Sequence, residues 1–341
     1  MKPKICVFYS SPKLGDIILQ LPFIKSISEK YQCNVTICVN KAIKIKNILQ
    51  YQNYIDDVIE NYFRKGKYFI PDIYKLYKHL KNENYTHAFI LEKTKGPAIA
   101  AFLAGIKKIY GYGIGSQRFF VDNSFSLSKN DLRFNYTEQS KKFLSQFDII
   151  TNFNNKYLNL DKDDKRKLFD KFKNLPKPWI CFGVDSTEIN RIWPQENFAK
   201  LIDKIFKKNL CGTAFIISGN DHKDYFGNIS GYSENYKRLI NCKDFNRSEL
   251  FYLIDICDYF IGIDSGPSCV AGALSKKTFC IFGPTDATLP RFKSMIKILS
   301  HYYDKKREVG NIRCGDNFDQ TDNEVKSISV EKVFNTIIKN L

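Results

Sequence analysis

Ile261-Gly262-Ile263-Asp264-Ser265-Gly266-Pro267-Ser268 is the stretch whose reading decides the fold. An apolar run of strand length opens into small residues and then, from about Pro267 to Leu274, into a helical pattern. Ser265 and Gly266 let the backbone come close to a ligand, and Pro267 suits a first helical position. The exposed N–H groups and positive end of such a helix favour an anion, a diphosphate for example. Asp264 closes the strand, where its carboxylate can reach sugar hydroxyls. An ordinary strand-to-helix turn with Ser265 as N-cap fits the same letters.

Outward from this stretch the pattern repeats. Thr278 to Phe282 reads as the next strand; upstream lie strands at Trp179 to Gly183, Thr213 to Ser218 and Asp258 to Ile263, with a helix from Pro194 to Lys207. From Asn152 to Lys177 the chain turns polar and charged, and before that segment the pattern runs again. Strands are expected at Lys4 to Tyr9, Asn34 to Val39, Ala88 to Leu91 and Lys108 to Tyr110, and a helix at Asp16 to Lys30. Strand-length apolar runs alternating with amphipathic stretches are the mark of βα units around a parallel sheet. At 341 residues there is room for two domains of about 150 residues each. The expectation is an α/β chain of two Rossmann-like domains, 1–155 and 156–341, facing across a cleft with strand carboxyl ends turned to a shared ligand.

Composition narrows the partners. The longest apolar runs, such as Ala98 to Ile106, fall short of the ~20 residues that span a bilayer, and the amino terminus lacks the pattern of a signal peptide. A cytoplasmic protein is expected. The 10 cysteines are scattered without a CxxC pair, and His79, His87, His222 and His301 do not cluster with them. That argues for reduced, buried thiols, with Cys6, Cys181, Cys257 and Cys280 as examples, and against a metal centre. The net charge is +17, yet no helix-turn-helix, zinc finger or RNP-type motif points to nucleic acid. An anionic membrane face or a phosphorylated acceptor would use that charge, and so would plain solvation of a lysine-rich surface. The clearest basic stretch is Arg64-Lys65-Gly66-Lys67 followed by Lys75, Lys78 and Lys81 at helical spacing, with Lys107 and Lys108 beyond. Phe69, Ile73, Tyr74 and Tyr77 are interleaved among those charges, as on a helix resting at a membrane surface.

Asp264-Ser265-Gly266-Pro267-Ser268, followed after about fifteen residues by Phe282-Gly283-Pro284-Thr285-Asp286, resembles the signature of glycosyltransferase family 9, the lipopolysaccharide heptosyltransferases. The family commonly reads Asp-Thr-Gly-x-x-His; here Ser265 stands for the threonine and Cys269 for the histidine. Lys13-Leu14-Gly15-Asp16 with Leu21-Pro22 resembles the family's amino-terminal motif, and Ile109-Tyr110-Gly111-Tyr112-Gly113 its turn late in the first domain. Ser186-Thr187 with Arg191-Ile192-Trp193-Pro194 resembles its phosphate-contacting segment, and Val325 to Val333 its closing pattern.

This resemblance implies a fold of the GT-B type, no cofactor and no metal, and inverting transfer of heptose from an ADP-heptose donor to an anionic glycolipid acceptor at the inner membrane. It implies Asp16 as general base within an acceptor-side loop that includes Lys13 and Gly15. It places the donor on Ser186, Thr187, Arg191, Asp221, Asp264, Ser265 and Gly266, although arginine replaces a family lysine at Arg191 and aspartate a ribose-binding glutamate at Asp221. Asp16 is also placed to cap the helix that follows it. Transfer of another sugar to a capsule, glycan or protein acceptor, and a sugar-nucleotide-binding protein without catalysis, stay open. Asp161-Lys162-Asp163 spells a DxD but lies in the charged linker and reads as solvated. Gly111-Tyr112-Gly113-Ile114-Gly115 lacks the spacing of a dinucleotide fingerprint.

Overall fold

The structure, a computed structural model, describes residues 2–219, 223–285, 291–300 and 323–341. The chain divides into two compact units, Met1–Phe153 with Tyr157–Asn159, and Asn154–Lys156 with Leu160–Leu341. The first contains five strands: β1 (Ile5–Tyr9), β2 (Val35–Asn40), β3 (Ile55–Asn61), β4 (His87–Ile90) and β5 (Lys108–Gly111). They form one sheet in the order β3-β2-β1-β4-β5, and every pairing is parallel. The second contains β6 (Trp179–Gly183), β7 (Thr213–Ile217), β8 (Leu239–Asn241), β9 (Tyr259–Ile263), β10 (Thr278–Phe282) and β11 (Met295–Leu299). Their order is β11-β10-β9-β6-β7-β8, again parallel throughout.

Parallel sheets carry helices on both faces, so their central strands are buried on both sides and read as unbroken apolar runs. Each residue of β1, β6 and β10 is buried. Strand order reverses between β1 and β4 in the first sheet and between β6 and β9 in the second. At such a switch point two neighbouring loops leave in opposite directions and open a crevice at the carboxyl ends of the strands. In the second unit, Gly183 of β6 pairs with Gly262 of β9. A Cβ on Gly262 would lie 2.7 Å from the Gly183 carbonyl oxygen and 2.8 Å from the Phe260 ring, so position 262 has no room for a side chain.

The linker contains a helix, Lys162–Phe172, whose N-cap is Asp161: its carboxylate accepts from the Asp163 and Asp164 N–H groups. The DxD letters therefore serve a helix start. The nine described cysteines are free thiols, and Cys181 Sγ donates to Cys257 Sγ at 3.2 Å. Among the described residues no helix is long and apolar enough to cross a membrane.

Candidate functional site

At the carboxyl edge of the first sheet, β1 ends at Tyr9 and the helix Leu14–Tyr31 begins four residues after Ser10. Its N-cap is Lys13, extended and making no side-chain cap bond. Asp16 thus lies inside the first turn, as the third helical residue, and does not cap the helix. A carboxylate there is favoured by the helix dipole, and its orientation is set by Ser11, whose Oγ donates to Asp16 Oδ2 at 2.7 Å. Gly15 is half-buried beside it, Lys13 is exposed, and the Lys13 N–H donates to Ser11 Oγ at 3.3 Å.

A second carboxylate stands on the same edge. Glu92, two residues beyond β4, accepts from the Ser10 N–H at 2.8 Å and from Ser10 Oγ at 2.5 Å. Burial lifts its carboxyl from 4.5 to about 7, against the opposing pull of hydrogen bonds from Ser10 and Thr94. Around it, Asn40 Nδ2 donates to the Ser10 carbonyl at 2.8 Å, and Gln117 Nε2 donates to the carbonyls of Glu92 and Thr94. Within the surrounding letters, Leu91-Glu92-Lys93-Thr94-Lys95, the carboxylate reads as one more solvated charge. Its contact with a residue 82 positions away has no local signal.

A cavity of about 460 Å³ lies in the same unit, lined by Arg64, Lys65, Thr94 and Lys95 and by the apolar side chains of Phe69 and Ile73. Arg64 grips Asp72 with Nε and Nη2 at 3.0 and 2.7 Å, which holds the Asp72 carboxyl below its usual range. The guanidinium also stacks over Tyr68, 4.2 Å from the ring centroid. Arg64 is thereby fixed while Lys65 and Lys95 remain exposed.

In the second unit, β9 delivers Asp264 to the sheet edge, where its N–H donates to the Ile281 carbonyl at 3.1 Å. The helix that follows is Gly266–Ala273, so Pro267 occupies its second position, one place later than the sequence suggests. Ser265 is the N-cap residue but its side chain makes no cap bond. Its Oγ is buried and makes no hydrogen bond.

Asp264 is only 4% exposed, and it does not project alone toward a sugar. Arg191 Nη1 lies 3.7 Å from one carboxylate oxygen, and Arg291 Nη2 donates to the other at 3.1 Å. Arg191 comes from a short helical turn, Ile189–Arg191, and is further held by Glu188 at 2.7 Å. Arg291, its side chain 3% exposed, also lies over the Phe282 ring at 5.5 Å. Sequence reasoning missed Arg291, because it follows no strand end and belongs to no short motif. Cys269 packs nearby: the buried Cys280 thiol is pushed up by burial first and then by the charges of Asp264 and Cys269, while Arg291 pulls it down.

Ser186 and Thr187 follow β6, the strand beside β9. Ser186 Oγ accepts from the Glu188 N–H at 3.2 Å, and Thr187 is exposed. Asp221 and Asp286 lie outside the described residues. The structure thus brings Arg191, Asp264, Ser265 and Gly266 to one edge and adds Arg291. Arg191, partly exposed, and a helix N-terminus at a switch point offer hydrogen-bond donors suited to a diphosphate, while the Arg291 side chain, 3% exposed, holds Asp264 from beneath. Among the described residues no three His, Cys, Asp or Glu side chains converge as metal ligands.

Comparison with known proteins places this geometry. Residues 73–324 match the model of glycosyltransferase family 9 (heptosyltransferase). A lipopolysaccharide heptosyltransferase 1 from Campylobacter coli is 24% identical over 342 residues, covering 95% of each chain. Among solved structures, a family 9 glycosyl transferase from Veillonella parvula superposes with a TM-score of 0.78 at 16% identity, covering 99% of this chain and 98% of that one. E. coli heptosyltransferase WaaC with ADP superposes with a TM-score of 0.71 at 14% identity, covering 99% and 100%.

Proposed function

This chain belongs to glycosyltransferase family 9 and is a glycosyltransferase of GT-B-type α/β fold, and from that membership we propose that it moves a heptose, with inversion, from ADP-heptose to a lipopolysaccharide or lipooligosaccharide core acceptor. The observation that carries the donor half is the Asp264 cluster, in which Arg191 and Arg291 meet the Asp264 carboxylate just before the head of the helix Gly266–Ala273. The Campylobacter coli relative is a lipopolysaccharide heptosyltransferase and the E. coli WaaC structure holds ADP, which supports an adenosine diphosphate leaving group. The second unit then holds the donor and the first the acceptor.

The reaction is a single displacement. Asp16 takes the proton of an acceptor hydroxyl as that oxygen bonds to the anomeric carbon, while the bond from that carbon to the diphosphate oxygen breaks. Negative charge gathers on the departing diphosphate, where Arg191, the hydroxyls of Ser186 and Thr187 and the helix N–H groups stabilise it. Positive groups are thus already supplied, and no carboxylate pair is assigned to bridge a metal to the diphosphate. Release of nucleoside diphosphate from a panel of nucleotide-sugars should therefore be fastest with ADP-heptose and continue in excess chelator. A rate that collapses with chelator and returns with magnesium or manganese would remove this mechanism.

The acceptor side carries the charge. The cavity with Lys65 and Lys95 on its walls suits the anionic head of a glycolipid, and the adjoining surface suits the cytoplasmic face of the inner membrane. On the helix Phe69–Lys81, Asp72, Leu76 and Leu80 are buried, and Phe69, Ile73 and Tyr77 turn at least partly inward, so most of the interleaved aromatics pack rather than project. Ile70 and Tyr74 do project, 76% and 53% exposed, and so do Phe102 and Leu103, each 57% exposed, on the adjoining helix Gly96–Leu103. Lys67, Lys75 and Lys78 are exposed around them. Since surface attraction decays over a Debye length of ~8 Å at physiological salt, the protein should sediment with anionic but not neutral vesicles and be released as salt rises. Equal failure to bind either vesicle at low salt would leave these lysines as solvation alone.

A further inference from the structure

We propose that Glu92 is a positioning residue for the general base: by accepting both the N–H and the hydroxyl of Ser10 it fixes the turn from which Ser11 holds the Asp16 carboxylate. The inference rests on reading Asp16 as that base. The chain of contacts is short and directional. Glu92 takes Ser10 N–H at 2.8 Å and Ser10 Oγ at 2.5 Å, Asn40 clamps the Ser10 carbonyl at 2.8 Å, and the next residue along, Ser11, donates to Asp16 at 2.7 Å. Every polar group of Ser10 is thus spoken for by a neighbouring strand end, and Ser11 inherits its place. Only the ionised form of Glu92 accepts from both Ser10 donors without turning one of its own oxygens into a donor.

Holding that ionised form works against stability. The side chain's surroundings offer hydrogen bonds but lift its carboxyl to about 7. The titratable neighbours that feel its charge are Tyr9 at the end of β1, Cys38 in β2 and Tyr112 after β5, all pushed up and so neutral in the working range; Tyr9 feels Asp16 as well. Lys93 and Lys95, on Glu92's own loop, are exposed. A carboxyl whose pKa rises on folding binds its proton more tightly in the folded state. The stability it contributes is fully present below 4.5 and is lost as pH climbs through about 7.

The test is Glu92→Gln in the full chain, beside Ser10→Ala, which removes only the hydroxyl donor. Both should lower kcat, for Glu92→Gln by about 10- to 100-fold, the scale of a small misplacement of a reacting group, with donor KM nearly unchanged. The amide cannot ionise, so the melting temperature of Glu92→Gln relative to wild type should rise between about pH 5 and about pH 8. A kcat of Glu92→Gln that stays at the wild-type value, or a fall in kcat/KM that comes entirely from a raised donor KM, would overturn the proposal. Asp16→Asn separates the two readings. If it keeps full turnover, the base assignment and this inference fall together; if it is inactive while Glu92→Gln is fully active, only the role of Glu92 falls.

Discussion

Asp16→Ala should lower turnover by about 10² to 10⁴ while leaving the melting temperature close to wild type, because the carboxylate is assigned to proton removal and not to helix capping. The stability side is bounded by what the structure gives Asp16. It lies in the first turn of the helix Leu14–Tyr31, where no side chain caps the start, and it accepts one hydrogen bond, from Ser11. A first-turn charge contributes about 0.3–1 kcal/mol and one such hydrogen bond about 1 kcal/mol. For a chain of this size those amounts shift melting by a few degrees at most, so loss of fold cannot imitate a hundredfold loss of rate. Steady-state kinetics with a thermal melt on the same preparation decides it. If turnover survives and only the melt moves, Asp16 serves the helix and the base must be sought elsewhere on the edge, with Glu92 next in line.

The second large effect is expected at Asp264. Its carboxylate lies between Arg191 and Arg291, and the Arg291 side chain is only 3% exposed. Removing one member of a buried ion pair typically costs about 3–5 kcal/mol, because the remaining charge has been taken out of water. Asp264→Ala should therefore melt about 5–10 °C below wild type and, on the proposed reading, bind the donor more weakly, since Arg191, proposed to meet the diphosphate, loses the carboxylate that aims it. Removing the opposite charge as well should restore part of the loss: Asp264→Ala with Arg291→Met should melt above Asp264→Ala alone, a coupling that a double-mutant cycle reads directly. Donor affinity, in contrast, should not return with it. If Asp264→Ala melts like wild type, the carboxylate is not the hub of the cluster, and direct contact with the sugar becomes the better account of it.

The central strands were legible because nothing competes with burial there. Trp179–Gly183 and Thr278–Phe282 match the sequence reading residue for residue, since both faces are covered and each run is bounded by proline, glycine or polar residues. Of the four outer strands, β5 was legible, read as Lys108 to Tyr110 against Lys108–Gly111, and the other three were not. Ile55–Asn61 carries two exposed acidic residues among its buried ones, Leu239–Asn241 is three residues long, and Met295–Leu299 mixes buried and half-buried positions. Edge strands cover one face only, and their letters resemble those of loops. The two sites divide in the same way. Asp264, Ser265 and Gly266 stand where a strand meets a helix, so pattern alone points at them, and Arg191 is carried by its motif. Arg291 and Glu92 act through partners 27 and 82 residues away, and a contact of that span leaves no periodicity to find. The aromatic stripe on Phe69–Lys81 shows the converse: letters interleaved with lysines look like a membrane face until the helix is placed, and then Phe69 and Ile73 line a cavity.

The most direct test of the account is the anomeric configuration of the glycoside formed from ADP-heptose, followed by NMR while ADP release is measured in the same tube. A single displacement with Asp16 as base predicts one glycoside per ADP, with configuration opposite to that of the donor. A product that retains the donor's configuration, or ADP released with no glycoside formed in the presence of a core acceptor, would contradict it.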